Sequence, residues 1–257
     1  MALGALSGNP AGYDNLGAAM KAIVTGHSRG LGAAIAAELL QRGVAVLGLA
    51  RRPNASLQAR FPQLLTQHAI DLADTSALLA WLETRAPADF LRGEDIAFLV
   101  NNAATVQPMG PLDKLPAATL AQALALNISA PLLLAGAVAA ADAAQRRILH
   151  ISSGAGRDAF DGWSAYCSAK AALDHHARAA ALARRPGLRI CSLAPGVFDT
   201  DMQAEIRATE DHLFPLRERF LELLRDGQLV GAAVGASRVV DFLMADDFGV
   251  APTAALR

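Results

Sequence analysis

The sequence predicts a single α/β domain built on a doubly wound parallel sheet with helices on both faces. From residue 21 onward, short apolar runs alternate with longer Ala- and Leu-rich segments of helical periodicity, which is the pattern of strands joined by crossover helices. The 257 residues, 53% of them hydrophobic, suffice to bury one large core. Neither an internal repeat nor a linker divides the chain. We therefore expect one catalytic domain over residues 20–257.

The first 19 residues differ from the rest of the chain. They carry no basic start and no apolar stretch of the length of a secretory signal. We expect residues 1–19 to form a loose extension on which no function depends. A second methionine, Met20, stands immediately before the first apolar run, so a translation start there and an added leader both account for the extension.

The predicted strands are apolar runs rich in Val, Ile and Leu, as expected for strands buried on both faces of a sheet. They cover residues 21–25, 44–49, 66–70, 95–101, 147–152 and 187–194. The predicted helices end near a polar residue or a glycine such as Gly43, and they cover residues 30–42, 74–86, 115–143 and 164–184. After Pro195 the regularity weakens. Amphipathic helices are expected at 215–225 and 236–245, and residues 198–227 are predicted to form a lid over the substrate.

Charge and composition exclude several classes of function. The net charge is -1 and the basic residues are scattered, so the basic stripe of a nucleic-acid-binding protein is missing. The longest apolar stretch, residues 128–141, is too short to span a bilayer. Cys167 and Cys191 are too few for a disulfide framework and have no partners at metal-ligand spacing. We therefore expect a soluble cytoplasmic protein with no nucleic-acid partner, no membrane span and no metal.

The segment from Thr25 to Gly32 predicts a phosphate-binding loop. It follows the first predicted strand and opens the first predicted helix, which is the context that a dinucleotide loop requires. Glycines at 26, 30 and 32 permit a tight turn and a close approach of the backbone to a pyrophosphate at the helix N-terminus. A turn that needs glycine for its geometry alone is the alternative. The strand before it and the helix after it favour a bound dinucleotide.

The residues after the second predicted strand indicate which dinucleotide is bound. An acidic residue about 20 positions beyond the glycine loop would hold the ribose hydroxyls of NAD, but this chain has Ala50 followed by Arg51 and Arg52. Guanidinium groups suit a 2′-phosphate, and Arg29 in the glycine loop offers another donor. NADPH/NADP is therefore the expected cofactor. Arg52 is reasonably interpreted as a solvated residue at the start of a loop. This interpretation suits Arg51 less well, because the acidic residue that would hold the ribose is missing.

A tyrosine and a lysine mark the candidate catalytic centre. Tyr166 and Lys170 lie four residues apart in an Ala-rich run, so both side chains leave the same face of a helix. A neighbouring ammonium group favours the phenolate form and makes the tyrosine a plausible general acid or base. Ser153 follows a predicted buried strand, so its hydroxyl is expected at a strand tip, where a carbonyl oxygen meets both hydroxyls. Taken alone, such a Tyr/Lys pair is more often simply solvated.

Together these residues resemble the classical short-chain dehydrogenase/reductases, over about residues 21–202 and in the order that the family uses. Besides the glycine loop, four further motifs match. Asp71 and Leu72 match the adenine contact, and Asn101, Asn102 and Ala103 match the motif of the central strand. Asn127, Ser153, Tyr166 and Lys170 match the catalytic tetrad, and Pro195, Gly196 and Thr200 match the loop beside the nicotinamide. Ala104 stands where the family commonly has glycine, and we expect this methyl group to adjust packing only.

The resemblance implies a Rossmann-type fold and hydride transfer from a nicotinamide. It also implies that Tyr166 donates or accepts the proton, that Ser153 holds the carbonyl, that Lys170 binds the nicotinamide ribose and lowers the tyrosine pKa, and that Asn127 positions a water. The cofactor-binding residues expected from the loop and the resemblance are Gly26, Ser28, Arg29, Gly30, Leu31, Gly32, Arg51, Asp71, Leu72, Asn102, Ala103, Tyr166, Lys170, Pro195, Gly196, Val197 and Thr200.

Two segments, residues 162–167 and 199–203, are similar to those of sepiapterin reductases and bacterial benzil (1,2-diketone) reductases. The sepiapterin reductases hold the pterin with an aspartate in the last strand, whereas residues 249–257 contain no acid. We therefore expect an NADPH-dependent reductase of small or aromatic ketones or 1,2-diketones. The substrate residues expected are Ser153, Trp163, Tyr166, Phe198 and Met202.

Three alternatives stay open: a sepiapterin reductase, a 3-oxoacyl reductase, and a non-catalytic NADP-binding sensor. The long Ala-rich segments 115–143 and 164–184 are expected to pack in a homodimer or homotetramer. His150, in an apolar strand, is expected to be a packed core residue, and Cys167 a small packing residue. Four residues of the same predicted helix are expected to form a solvated or subunit-facing patch: Asp174, His175, His176 and Arg178.

Overall fold

The structure, a computed structural model, describes residues 19–256. The predicted loose extension therefore lies outside the described residues, apart from Ala19. Seven parallel strands form one sheet in the order β3-β2-β1-β4-β5-β6-β9. They are β1 Met20–Thr25, β2 Ala45–Ala50, β3 Leu65–Ala69, β4 Glu94–Asn101, β5 Ala143–Ile151, β6 Leu188–Ala194 and β9 Thr253–Ala255. Two short strands, β7 Phe198–Asp199 and β8 Val230–Gly231, pair with each other in parallel.

Helices cover both faces of the sheet, as the sequence predicts. They are α1 Gly30–Gln41, α2 Ala55–Arg60, α3 Thr75–Glu83, α4 Ala86–Leu91, α5 Ala117–Leu124, α6 Ala130–Ala139, α7 Ser164–Leu182, α8 Asp201–Ala208, α9 Arg217–Arg225 and α10 Ala232–Met244. Successive strand residues point to opposite faces. In β1, Val24 belongs to the core under α1 and α10, whereas Ile23 belongs to the core under α3, α6 and α7. This confirms the single α/β Rossmann-type domain.

Several predicted boundaries are wrong, through a strand pairing distant in sequence in one case and a local backbone conformation in another. The predicted helix 115–143 ends at Ala139, and β5 begins at Ala143 because Ala143 pairs with Glu94 in β4. The predicted helix 74–86 ends at Glu83, since Arg85 adopts a left-handed conformation with φ 62° before α4 begins. The sequence also missed α2, α4, α8 and the seventh strand, β9.

The helical run Ala117–Ala139 is long and apolar enough to cross a membrane by length and composition, with a mean hydropathy of 1.6. The exclusion of a membrane span from the length of residues 128–141 alone is therefore wrong, because the apolar helical run begins earlier, at Ala117. Core helices pass the same test, and here Ala130, Leu134 and Val138 pack against the sheet. The homo-oligomer, the cytoplasmic location and the lack of a membrane partner stay predictions.

Candidate functional site

A cleft of roughly 1100 Å³ opens at the carboxyl ends of the strands, where the strand order reverses between β1 and β4. Open α/β sheets bind ligands at this point, because the loops of two neighbouring strands diverge there. All the predicted cofactor and substrate residues, which lie within residues 19–256, line this cleft. Asn127 is the predicted catalytic residue that does not line the cleft. The residues that do line it bring together a glycine loop, a pair of hydroxyl groups and an apolar lobe.

The glycine loop has the shape of a phosphate cradle. Gly26 and Gly30 have φ values of +72° and +56°, which favour glycine. A Cβ atom at Gly32 would lie 2.3 Å from the Gly26 carbonyl oxygen, so only glycine lets the first turn of α1 pack against the strand end. A Cβ atom at Gly30 would have the Thr200 side chain as its nearest neighbour, at 3.7 Å. The loop therefore fits a dinucleotide pyrophosphate at the N-terminus of α1.

Thr25 fixes the glycine loop to the loop that follows β4. Its hydroxyl oxygen accepts hydrogen bonds from the backbone N–H groups of Asn102 and Ala103, each at 2.9 Å. In return the Asn102 side chain donates to the Thr25 carbonyl at 3.0 Å. These reciprocal bonds hold two walls of the cleft at a fixed separation, so the predicted contacts at Asn102 and Ala103 belong to a preformed surface.

Arginines surround the end of the cleft beyond the glycine loop. Arg51 and Arg52 are exposed and both line the cleft. Arg29 precedes α1, and its guanidinium lies 2.8 Å from the carboxylate of Asp201, the first residue of α8. Both partners are about two-thirds exposed, at 68% and 66%, so water screens this ion pair and it contributes little stability. The donor set suits a phosphate group on the adenosine ribose.

Ser153, Tyr166 and Lys170 meet at the centre of the cleft. β5 delivers Ser153 at its carboxyl end, while α7 places Tyr166 and Lys170 one turn apart on its buried face. The Ser153 and Tyr166 hydroxyl groups both line the cleft, and Ser153 lies close enough to favour a lower pKa of Tyr166. The Lys170 ammonium donates to the Ile151 carbonyl at 2.7 Å and lies 5.4 Å from the centre of the tyrosine ring. The predicted hydroxyl pair with its neighbouring cation is therefore assembled.

The pKa of Tyr166 does not fall as the sequence suggests. Burial raises the pKa of Tyr166 to about 12, although the nearby Ser153 hydroxyl opposes the change. Burial also lowers the pKa of Lys170 to about 8, against the attraction of Asp174. The prediction was wrong because it counted the charge of the lysine and not the burial of both groups. Both side chains hold their protons at neutral pH.

Asn127 occupies a short π-helical segment, Ala125–Ser129, between α5 and α6. Such bulges reorient single side chains and are frequent at functional sites. The side-chain oxygen Oδ1 of Asn127 accepts from the Thr105 N–H at 2.9 Å, and the side-chain Nδ2 donates to the Thr105 carbonyl at 2.8 Å. Asn127 thus holds the loop after β4 in the structure. Its role in positioning a water stays a prediction.

An aromatic cluster forms the apolar lobe beside the hydroxyl pair. Trp163 stacks on Phe214 with ring centres 4.6 Å apart, and its ring centre lies 5.5 Å from that of Phe220 and 5.1 Å from that of Tyr166. Phe160 contacts Trp163 edge to face. The sequence identified Trp163 and missed the phenylalanines. Phe160 lies three residues before Trp163, whereas Phe214 and Phe220, the latter in α9, are distant from it in sequence. The spacing of Leu216, Phe220 and Leu223 on one face of an amphipathic helix could have revealed part of the lobe.

Met202 and Phe198, the other predicted substrate residues, also line the cleft. Met202 packs on the aromatic cluster from α8. Phe198 packs closely over Gly235 of α10, where a Cβ atom would lie 2.1 Å from the ring. Phe198 therefore anchors the start of the predicted lid as well as facing the cleft. Closure of residues 198–227 as a lid stays a prediction.

Comparison with known proteins agrees with this architecture. A family model for short chain dehydrogenases matches residues 20–211. The chain belongs to the short-chain dehydrogenase family. This short-chain dehydrogenase is 32% identical over 239 residues to benzil reductase ((S)-benzoin forming) of Bacillus cereus, covering 88% of this chain and 94% of that protein. It is 33% identical over 243 residues to sepiapterin reductase of Meriones unguiculatus, covering 88% and 92%.

Among solved structures, a short-chain dehydrogenase/reductase from Burkholderia vietnamiensis is 43% identical, with a TM-score of 0.69 and coverage of 92% of this chain and 96% of that one. The branch suggested by the sequence is confirmed by the two curated reductases. Family membership makes the protein an oxidoreductase that acts on CH–OH or C=O groups and uses a nicotinamide cofactor.

One predicted surface patch of this short-chain dehydrogenase is partly internal. Asp174 is only 3% exposed, and it accepts hydrogen bonds from the hydroxyls of Ser152 and Ser192 at 2.7 and 2.6 Å. The prediction of a solvated aspartate was wrong because α7 turns this residue toward the sheet. Arg157 completes the site, its Nε lying 3.5 Å from the Asp174 carboxylate. The carboxylate therefore holds the ends of β5 and β6 together directly behind Lys170.

His150 contacts His176, which is half-buried, at the inner side of α7. His150 is fully buried, as predicted, and its ring lies 3.1 Å from the Asn101 amide on one side and 3.1 Å from His176 on the other. Burial and the nearby His176 lower the pKa of His150 to about 3, so it stays neutral. His175 and Arg178 are exposed, as expected. Among residues 19–256, no group of three or more His, Cys, Asp or Glu side chains is placed to hold a metal ion.

Proposed function

We propose that the protein is an NADPH-dependent carbonyl reductase that transfers hydride to small or aromatic ketones, above all 1,2-diketones, with Tyr166 as the proton donor. The observation that carries the proposal is that Ser153, Tyr166 and Lys170 line one cleft with the glycine loop and the aromatic lobe, with the Lys170 ammonium 5.4 Å from the centre of the tyrosine ring. A carbonyl group placed there faces a hydroxyl pair on its oxygen side. Its apolar substituents face the lobe.

The electrostatics of the pair suit reduction. A bound nicotinamide supplies the hydride to the carbonyl carbon, and the carbonyl oxygen must then gain one proton. Since the pKa of Tyr166 is raised to about 12, its hydroxyl carries that proton throughout the neutral range. Ser153 holds the oxygen during the transfer, and Lys170, still charged below its pKa of about 8, stabilises the phenolate that remains.

The preference for NADPH rests on the residues after β2. Ala50 leaves the strand end without a carboxylate for the ribose hydroxyls, and the side chains that follow it into the cleft are Arg51 and Arg52. Both guanidinium groups are exposed and free to turn toward a 2′-phosphate. A carboxylate at position 50 would instead repel that phosphate.

The substrate class rests on the aromatic lobe and the relatives. Flat apolar substituents stack well on Trp163 and Phe220, whereas a pterin needs polar partners along its edge. The last strand, Thr253–Ala255, brings no carboxylate to meet such an edge. An adjacent carbonyl group withdraws electrons from the reacting carbon, so 1,2-diketones accept hydride readily. The similarity to the Bacillus cereus benzil reductase supports the same choice.

The test compares kcat/KM for benzil, phenylpropanedione, sepiapterin and an acetoacetyl thioester with NADPH and with NADH. We expect a diketone with NADPH to be the best pair. Sepiapterin or the thioester ahead by more than about tenfold, or some 1.4 kcal/mol of transition-state binding, would contradict the substrate class. No turnover of any carbonyl would favour a cofactor-binding sensor.

The Tyr166→Phe variant tests the proton donor. Loss of a positioned acid typically costs about a hundred- to ten-thousand-fold, so we expect kcat to fall by at least a hundredfold. NADPH binding, followed by nucleotide fluorescence, should change little because the glycine loop is untouched. A Cys167→Ala variant on the same helix serves as the matched control and should keep its rate. Near-normal turnover by Tyr166→Phe would refute the assignment.

A further inference from the structure

Asn54 fastens the loop that carries Arg51 and Arg52 to the glycine loop. The Asn54 side-chain amide lies 3.3 Å from the carbonyl oxygens of both His27 and Ser28, to which it donates. Its oxygen accepts from the Leu57 N–H at 3.0 Å and so caps α2. One side chain therefore joins the glycine loop to the start of α2. The arginines lie in the short segment between β2 and this residue.

A second contact fixes the backbone of Asn54 to the sheet. The Asn54 N–H donates to the side-chain oxygen of Gln67 in β3 at 2.6 Å. The same oxygen lies 2.7 Å from Nε2 of His27, while the amide nitrogen of Gln67 donates to Gln58 at 2.9 Å. These partners fix the orientation of the Gln67 amide. Because the Gln67 oxygen can only accept, His27 must carry its proton on Nε2.

The imidazole of His27 is built into this position. Its side chain is 1% exposed, within the glycine loop itself. It lies over Gly48 of β2, where a Cβ atom would come within 2.5 Å of the ring. Gly48 pairs with Gln67 in the neighbouring strand, which brings the amide under the ring. The glycine at position 48 thus leaves the space that the histidine fills, and strand register supplies its partner.

We propose that the network of His27, Gln67 and Asn54 holds the arginine loop beside the glycine loop and thereby sets the preference for a 2′-phosphorylated cofactor. These are positioning residues, since none of the three lines the cleft. The inference rests on the proposed use of NADPH. Arg51 and Arg52 are exposed and flexible side chains, so the backbone beneath them decides where their charges lie. A loosened loop would let them swing into solvent, while the pyrophosphate cradle of the glycine loop would remain.

The experiment measures dissociation constants for NADPH and NADH by nucleotide fluorescence, without any substrate. Gln67→Met removes the shared acceptor at similar volume, and Asn54→Ser removes the bonds to the glycine loop while keeping a helix-capping oxygen. We expect Gln67→Met to weaken NADPH binding about tenfold, or 1.4 kcal/mol, and NADH binding less than twofold. Asn54→Ser should change the ratio in the same direction. Thr66→Val, at the exposed position beside Gln67 in β3, should leave the ratio unchanged.

A thermal unfolding scan of each variant separates positioning from general stability. A purely structural role predicts that both cofactors weaken together as the midpoint falls, which would overturn the inference. A full NADPH preference retained by both Gln67→Met and Asn54→Ser would also overturn it. Equal affinity of the unaltered protein for NADPH and NADH would refute the proposed cofactor itself, and the inference with it.

Discussion

Replacement of Asp174 by asparagine should weaken the fold and shift the pH dependence of catalysis. Asp174 accepts hydrogen bonds from the hydroxyl groups of Ser152 and Ser192 at 2.7 and 2.6 Å, and the residue is only 3% exposed. A bond to a charged acceptor contributes about 1.5–3 kcal/mol, against about 1 kcal/mol for a neutral one. Asp174→Asn keeps the shape and removes the charge. We therefore expect a loss of about 1–4 kcal/mol in the free energy of unfolding.

The catalytic consequence acts through Lys170. Asp174 raises the pKa of Lys170, against burial that lowers it to about 8. Without the carboxylate that pKa falls further, so Lys170 loses its charge at a lower pH. If the charged lysine stabilises the tyrosine phenolate, the decline of kcat with rising pH must begin at a lower pH in Asp174→Asn. The shift distinguishes this electrostatic role from a purely structural one.

Two measurements check this prediction. The first is urea unfolding followed by tryptophan fluorescence, and the second is kcat for benzil between pH 5 and 10, a range that brackets the pKa of Lys170 of about 8. Ser192→Ala is the matched control, because it removes one hydrogen-bond donor and leaves the carboxylate charged. It should lower stability without moving the alkaline limb of the kcat profile. The reasoning fails if Asp174→Asn leaves that limb where it is, or if stability does not change.

Two further substitutions test the cofactor site. Arg51→Gln should weaken NADPH binding about ten- to a hundredfold and NADH binding little, because it removes a charge-assisted contact to the 2′-phosphate. Fluorescence titration measures both affinities, and Arg60→Gln, at an exposed arginine at the end of α2, should change neither. Equal weakening of both cofactors by Arg51→Gln would argue against a phosphate contact. Gly32→Ala should lower the thermal midpoint and NADPH affinity, since its Cβ atom would lie 2.3 Å from the Gly26 carbonyl oxygen and overpacking costs about 1–3 kcal/mol. Gly136→Ala, where nothing lies within 4 Å, is the control, and an equal response of the two alanine variants would contradict the close-approach argument.

Much of this protein follows from short-range patterns in its sequence. Apolar runs alternating with helical periods define the strands and helices, because side-chain direction repeats every two residues in a strand and about every 3.6 in a helix. The same regularity places Tyr166 and Lys170 on one helix face. The glycines of the cradle are recognisable because their backbone angles and close approach exclude other residues. The family resemblance then supplied Asn127, whose water-positioning role remains a prediction.

Tertiary structure decided what depends on residues distant in sequence. It buried Asp174 between two serines, brought Phe214 and Phe220 onto Trp163, and joined His27 to Gln67 across two strands. None of these contacts has a sequence spacing that marks it. The direction of a pKa shift is decided in the same way, because the cost of burying a charge depends on all the atoms that exclude water around it. A linear sequence specifies those atoms only once the chain has folded.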